Sequence, residues 1–441
     1  MRNVLIVAYY FPPSGGPGVQ RVLKHVKYLP EYGWNPVVLT VSNGQFPARD
    51  ESLLKQIPES VPVYRTHIYE PYDLYRLLTG KKKGEPIDVG VIKKEDQKRT
   101  FKENVAELIR STFFIPDARI GWLPTASKAA REIVEKRSIE AVYSSSPPYT
   151  CSIIARNIKR RTGLPWVAGF RDPWTGFISS PKRYGPSAAI DRRMELSVFR
   201  EADFVECAWK GIIKDALGKY PQLPADKFIH VPNGFDSADY PRLDGAPAHN
   251  QAFTLTYTGS MYGRRNPAAL FKAIEILLEK GLIIRDEFKL KFIGRFGPEV
   301  KEMFSAASFK KSLEIIDYMP HGESVKQLML SDANLLVVDE SKESAEIVPG
   351  KVYEYIGAGK PVFAIAPVEG AIAELIRETR AGEVAHQSDV EKIADILLRF
   401  IRNFRTGESF YNPNMDEIMK YERRESARAL ASLLDRSLAR K

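Results

Sequence analysis

Two glutamates with seven residues between them, Glu346 and Glu354, bracket a Pro349-Gly350 pair in the stretch EIVPGKVYEYIGAGKPV. A proline followed by glycine opens a helix here, and Gly357 and Gly359 close it before the next strand. The spacing puts Glu346 in the loop at the helix mouth and Glu354 about one turn inside. A ligand lying across that mouth would meet Glu346 with a sugar, the amides near Gly350 and Lys351 with phosphates, and Glu354 with ribose hydroxyls. Carboxylates accept hydrogen bonds from vicinal hydroxyls, and the first amides of a helix attract anions. Either glutamate alone would read as a solvated charge, whereas the ordered set points to one ligand carrying all three groups.

Other residues could act with this set. After the first strand, taken as ending at Phe11, PPSGGPGVQRVLKHV carries Gly15, Gly16 and Gly18 into a helix. Glycines there let the backbone approach a diphosphate, although an ordinary tight turn would use them too. A dinucleotide dehydrogenase is disfavoured, because GGPG is not the GxGxxG pattern and the second strand, NPVVLTVSNG, lacks an acidic residue for a ribose. In LPWVAGFRDPWTG, Arg171 and Asp172 follow a strand. Asp172 could take a proton or orient a hydroxyl and Arg171 could meet a phosphate, or the pair could simply hold the loop. SSSPPYT at 144–150 offers either acceptor-lining groups or turn and cap residues.

These loops need strands and helices to place them. Apolar runs alternate with helical patterns: NVLIVAYY, a helix near Val19 to Tyr32, NPVVLTV, EAVYSS, PWVAGF and DFVECA. After a Pro-, Ala- and Asp-rich linker at 237–252 the alternation restarts with FTLTYTG, a helix from about Pro267 to Lys280, FKLKFIG, LEIIDYM, ANLLVV and PVFAIA. Such alternation predicts an α/β chain of two doubly wound, Rossmann-like parallel-sheet domains facing a central cleft. The expected boundaries are 1–240, 252–420 and a C-terminal helix at 421–441, which could pack back on the first domain. An insertion at about 70–120 breaks the pattern. It carries Lys81, Lys82, Lys83, Lys93 and Lys94, then FKENVAELIRSTFFIP with Phe101, Val105, Leu108, Ile109 and Phe113 on one helical face. That face suits a core helix, or an anionic membrane surface.

With these residues in order, the sequence resembles the retaining GT-B glycosyltransferases of family 4, often called glycosyltransferase group 1. Glu346 and Glu354 match that family's EX7E motif, YIGAGKPV resembles its AAGKPV close, and VPNGFD and YTGSMYGRRNP fall in its order. The resemblance implies a nucleotide sugar bound mainly by the C-terminal domain and a glycan or lipid-linked acceptor bound mainly by the N-terminal one. It implies no DXD-type metal site and no cofactor beyond the donor itself. Two departures stand out. Where the family usually has GR and then Lys to hold the diphosphate, Ser260 replaces the first cation and Arg265, beside Arg264, takes the Lys position, so that Lys351 could compensate. Where it commonly has His then Asp, Arg171 and Asp172 stand, as in the RDPW of members that build surface polysaccharides. The alternatives are a nucleotide-sugar epimerase on the same scaffold and a member that binds a nucleotide sugar without transferring it.

Composition agrees with that range. At 441 residues and 44% hydrophobic content the chain suits two domains. A formal charge of +10 favours phosphate-bearing ligands or anionic headgroups. No zinc-finger or RNP-type pattern favours nucleic acid. Cys151 and Cys207 read as free core thiols of a reducing compartment. The opening MRNVLIVAYYFPP reads as a buried strand, and no apolar run reaches membrane-spanning length. The expected location is cytoplasmic, with possible peripheral contact at the inner face of the membrane.

Overall fold

The computed structural model describes residues 1–46, 48–69, 111–112, 114–177, 180, 182–242, 250–317, 319–340, 345–408 and 411–440. Two compact units emerge: Met1–Pro232 together with Ser426–Lys441, and Asn233–Glu425.

The first unit contains β1 (Arg2–Ala8), β2 (Trp34–Val41), β3 (Val63–Thr66), β4 (Ile139–Ser146), β5 (Trp166–Phe170), β6 (Phe204–Cys207) and β7 (Phe228–His230). Among the described residues they form one parallel sheet in the order β3-β2-β1-β4-β5-β6-β7. The second unit contains β8 (Phe253–Thr258), β9 (Phe288–Ile293), β10 (Leu313–Ile316), β11 (Ala333–Val337), β12 (Val362–Ile365) and β13 (Gly382–Ala385). These are also parallel, in the order β10-β9-β8-β11-β12-β13. Parallel sheets need crossover helices on both faces, and the central strands β5, β8 and β11 are accordingly buried at every position, β8 with the threonines of FTLTYT included. The strand order reverses between β1 and β4 in one unit and between β8 and β11 in the other. Loops leaving such a pair of strands diverge to opposite faces and leave a crevice where ligands bind.

The apolar stripe of the Arg423–Ala439 helix completes the first unit's core: Leu430, Ala431, Leu433 and Leu434 are buried with Val22, Val26 and Trp34. Asp435 receives the Trp34 indole N–H at 3.0 Å and pairs with Arg2 at 2.6 Å. Deeper in this unit lies an ionic cluster. Arg21 and Glu206, 1% and 0% exposed, meet at 2.6 Å. Tyr143 donates to the other Glu206 oxygen at 2.6 Å. Arg21 also donates to the carbonyls of Val231 and Pro232 at 2.8 and 3.1 Å. Gly169 leaves room for this cluster, since a Cβ there would lie 2.3 Å from the Tyr143 hydroxyl oxygen.

β1 ends at Ala8, not at Phe11; past it the chain is bound to the segment after β2 instead, the Gly15 N–H to the Ala48 carbonyl and the Asp50 N–H to the Pro13 carbonyl, each at 2.9 Å. Both cysteines are free and buried, and burial pushes their thiols up, Cys151 to about 12. The basic insertion, with Lys81, Lys82, Lys83, Lys93, Lys94 and its amphipathic face, lies outside the described residues. The chain just after it is anchored: Arg183 donates to the carbonyls of Ser111, Phe114 and Pro116 at 2.6, 2.8 and 2.7 Å. No helix among the described residues is long and apolar enough to cross a membrane.

Candidate active site

In the second unit the helix Gly350–Gly357 starts at Pro349 without a side-chain cap and without an acidic residue in its first turn. Its N-terminal amides therefore keep their attraction for an anion. One face, Val352, Tyr353 and Ile356, is buried in an apolar cluster. A second face grips the end of β8. Lys351 Nζ donates to the Tyr257 hydroxyl at 2.8 Å and the Thr258 carbonyl at 3.1 Å, and lies 4.1 Å from the centre of the Tyr257 ring. Tyr355, one turn on, accepts the Thr258 N–H at 2.9 Å. Helix and β8 thus meet at the β8/β11 reversal, and both contribute to the crevice.

Gly259 lets the ammonium come close, since a Cβ there would sit 3.1 Å from Lys351 Nζ. Gly259 is held in turn by Gly294, whose φ of +142° and position leave no room for a side chain: its Cβ would fall 2.1 Å from the Gly259 carbonyl oxygen. Gly294→Ala is expected to destabilise the second unit by about 1–3 kcal/mol, read as a lowered urea midpoint. An unchanged midpoint would show that this loop pair moves apart freely.

Arg265 is half-buried on the next turn of the same loop, which Glu299 fixes by accepting the Gly263 N–H at 2.6 Å. Arg265 Nε is buried without a partner, and its guanidinium makes no hydrogen bond or ion pair among the described residues. Burial first, and then the Arg265 charge, push the Lys351 ammonium down to about 7 against the pull of Glu354. Two cations are therefore gathered with no carboxylate partner among the described residues. Ser260 is exposed beside them, and its backbone carbonyl accepts the Tyr257 hydroxyl at 2.9 Å. Glu354 projects from the helix toward His321, whose Nε2 lies 2.9 Å from Oε1. Glu346 sits half-buried ahead of the helix, next to Ala345, which the missing side chain of Gly370 allows to pack closely. Arg265, Gly350, Lys351 and Glu354 are thus brought together, with Glu346 on the chain leading into them.

In the first unit the β1/β4 reversal is laced together by Arg171. Its guanidinium donates to the Gly18 carbonyl at 3.3 Å, to Ser145 Oγ at 2.7 Å and to the Pro147 carbonyl. Gly15 is buried and spends its N–H on the Ala48 carbonyl at 2.9 Å, while Gly16, at φ +94°, starts the helix Pro17–Tyr28. The serines of SSSPPYT also bind inward: Ser144 accepts the Trp166 indole N–H at 3.0 Å and Ser146 pairs with Ser152 at 2.8 Å. Asp172 differs from these neighbours. Its carboxylate makes no hydrogen bond among the described residues, and burial holds its pKa above the usual carboxylate value despite the adjacent Arg171 charge.

The loop beneath Asp172 is rigid for reasons that no motif announced. Trp174 stacks on Tyr149 at 4.6 Å and donates to Asp191 at 2.9 Å. Glu195, fully buried, accepts the Thr175 hydroxyl at 2.5 Å and the Tyr220 hydroxyl at 2.7 Å. Asp191 and Glu195 lie four apart on one helix, Gly185–Glu201, and that spacing within an apolar face was the available sequence signal. His321 had no such signal, since its helix begins in a loop far from the glutamates in sequence.

Residues 244–414 match the family model described as glycosyl transferases group 1. No curated protein matches the chain in sequence. Solved structures share its fold along its length. Sucrose-phosphate synthase from Thermosynechococcus elongatus superposes with a TM-score of 0.62 at 10% identity, covering 100% of both chains. Anabaena HepE in complex with UDP gives 0.56 at 13% identity, covering 100% of this chain and 98% of that one. A TarM variant from S. aureus, in complex with Fondaparinux, alpha-GlcNAc-glycerol and UDP, gives 0.59 at 10% identity, covering 99% and 100%. The parallel sheets and their reversal points agree with these comparisons: residues 244–414 are similar to glycosyl transferases group 1, and the chain has the GT-B fold.

Proposed function

We propose that the second unit binds a nucleotide sugar and that the chain transfers the sugar, with retention of anomeric configuration, to a glycan or lipid-linked acceptor in surface polysaccharide or glycoconjugate synthesis. The observation that carries this reading is the pair of cations, Lys351 and Arg265, without carboxylate partners among the described residues, at the mouth of an uncapped helix that also presents Glu354. Phosphate oxygens would take charge-assisted bonds from both side chains and from the amides of Gly350 and Lys351. Glu354 would accept the ribose hydroxyls and Glu346 those of the sugar. In the transfer the bond from the anomeric carbon to the diphosphate oxygen breaks, and a bond to the acceptor oxygen forms on the same face. Asp172 of the first unit, whose carboxylate burial makes a better base, would take the acceptor's proton, while Arg171 holds the preceding loop through Gly18, Ser145 and Pro147. Charge building on the leaving diphosphate is met by Lys351 and Arg265, the interaction that lowers the barrier most. In this reading no metal is required. Contact with an anionic membrane is a proposal that the basic insertion motivates.

HepE and TarM were each solved with UDP, so UDP-sugars head the panel to be tried, followed by GDP- and ADP-sugars with and without divalent metal. One donor is expected to raise the melting temperature without metal, with the gain lost in Glu354→Ala; saturation at a hundred times Kd stabilises by about 2.7 kcal/mol. A flat response across the panel would overturn the donor assignment.

Donor affinity should also depend on pH with a definite sign. The free ammonium of Lys351 loses its proton as pH rises through about 7, and only the charged form attracts phosphate. Affinity is therefore expected to be level below that value and to fall above it, by up to roughly tenfold per pH unit. Titration calorimetry on either side of neutrality measures this, and Lys351→Arg should remove the dependence.

A further inference from the structure

Lys351 and Glu354 stand three residues apart on one helix, the spacing at which opposite charges ordinarily pair across a turn. They do not pair here. Glu354 Oε1 is 2.9 Å from His321 Nε2, while Lys351 Nζ is bonded to Tyr257 and Thr258. His321 comes from a separate element, the first residue of the helix His321–Met329 that follows β10. The Glu354 main chain is fixed independently, because its carbonyl accepts the Tyr240 hydroxyl at 2.8 Å, so the choice between His321 and Lys351 lies in the side chain alone. Both members of the His321–Glu354 pair are partly open to solvent, at 24% and 28%, as a surface that meets a ligand must be.

We propose that His321 is a positioning residue: it draws the Glu354 carboxylate away from Lys351, leaving the ammonium for a diphosphate and turning the second carboxylate oxygen toward the ribose. Without it, Glu354 would fall back on Lys351 and compete with phosphate for the same cation. This rests on the donor reading above and assigns to it a residue that does not touch phosphate.

The test is binding of inorganic pyrophosphate, which has no ribose, to the full chain and to His321→Ala, His321→Gln, Glu354→Gln and the His321→Ala/Glu354→Gln double variant, each checked by melting temperature. His321→Ala is expected to weaken pyrophosphate binding about tenfold, the effect of occupying one charge-assisted partner. His321→Gln, which keeps a donor, should bind nearly as the native chain. The double variant should recover native affinity, because the uncharged amide that Glu354→Gln introduces cannot neutralise Lys351. A purely structural role would leave the double variant as weak as the single one, and that result, or native affinity in His321→Ala, would overturn the proposal while the donor reading stands on nucleotide-sugar binding. A native chain that binds a nucleotide sugar but no pyrophosphate would also overturn it. Binding of neither would end the donor reading and this one together.

Discussion

Replacing Lys351 with methionine is expected to weaken donor affinity by about 10–100-fold and to slow turnover by roughly a further tenfold or more. Methionine keeps the stem's volume and its contact with the Tyr257 ring, so the loss isolates the charge. The ammonium is partly desolvated and shares its surroundings with a second cation, Arg265, an arrangement that costs stability unless an anion arrives. In the free protein its bonds are to a neutral hydroxyl and a carbonyl. The same substitution should therefore leave the melting temperature of the unliganded chain unchanged or slightly raised while the donor-induced increase disappears. A variant that retained native turnover would remove Lys351 from the mechanism, and one that melted much lower would make it a structural residue instead.

The second large effect concerns stability. Glu206→Ala is expected to destabilise the first unit by about 3–5 kcal/mol, because it strands the buried Arg21 guanidinium and leaves the Tyr143 hydroxyl without its acceptor. Over a unit of this size that corresponds to a melting temperature lower by roughly 6–20 °C in scanning calorimetry. A shift within a degree or two would mean that water reaches the cluster once the carboxylate is gone. The cluster also binds the Val231 and Pro232 carbonyls, the last residues of the unit's first segment, so the loss should extend to the packing of β7 and not stop at one side chain.

Much of this protein is legible in one dimension. Strands such as β1, β5 and β11 are buried on two faces, so their apolar runs stand out, and the Pro349-Gly350 opening with Glu346 and Glu354 around it announces a helix mouth by local rules alone. The same is not true of β3, β7 and β13. These flank their sheets with only three or four residues each and mixed burial, too short and too weakly patterned to rise above the loops around them. Local patterns likewise leave open whether Arg171 meets a ligand or holds a loop. Its three bonds across the β1/β4 reversal follow from strand order, which no local pattern encodes.

By itself, then, the sequence determined the alternation of strands and helices, the two parallel-sheet domains and the helix that presents Glu354, because each follows from patterns within a few turns of chain. Only the tertiary structure decided which charges remain available. It set Lys351 against Tyr257 and Thr258, gave Glu354 to His321 and left Arg265 Nε unpartnered among the described residues. The reason is physical: an ion's partners are chosen by proximity in the folded state, and here they come from β8, from the helix after β10 and from the helix after β11, segments that meet only when the second sheet has formed.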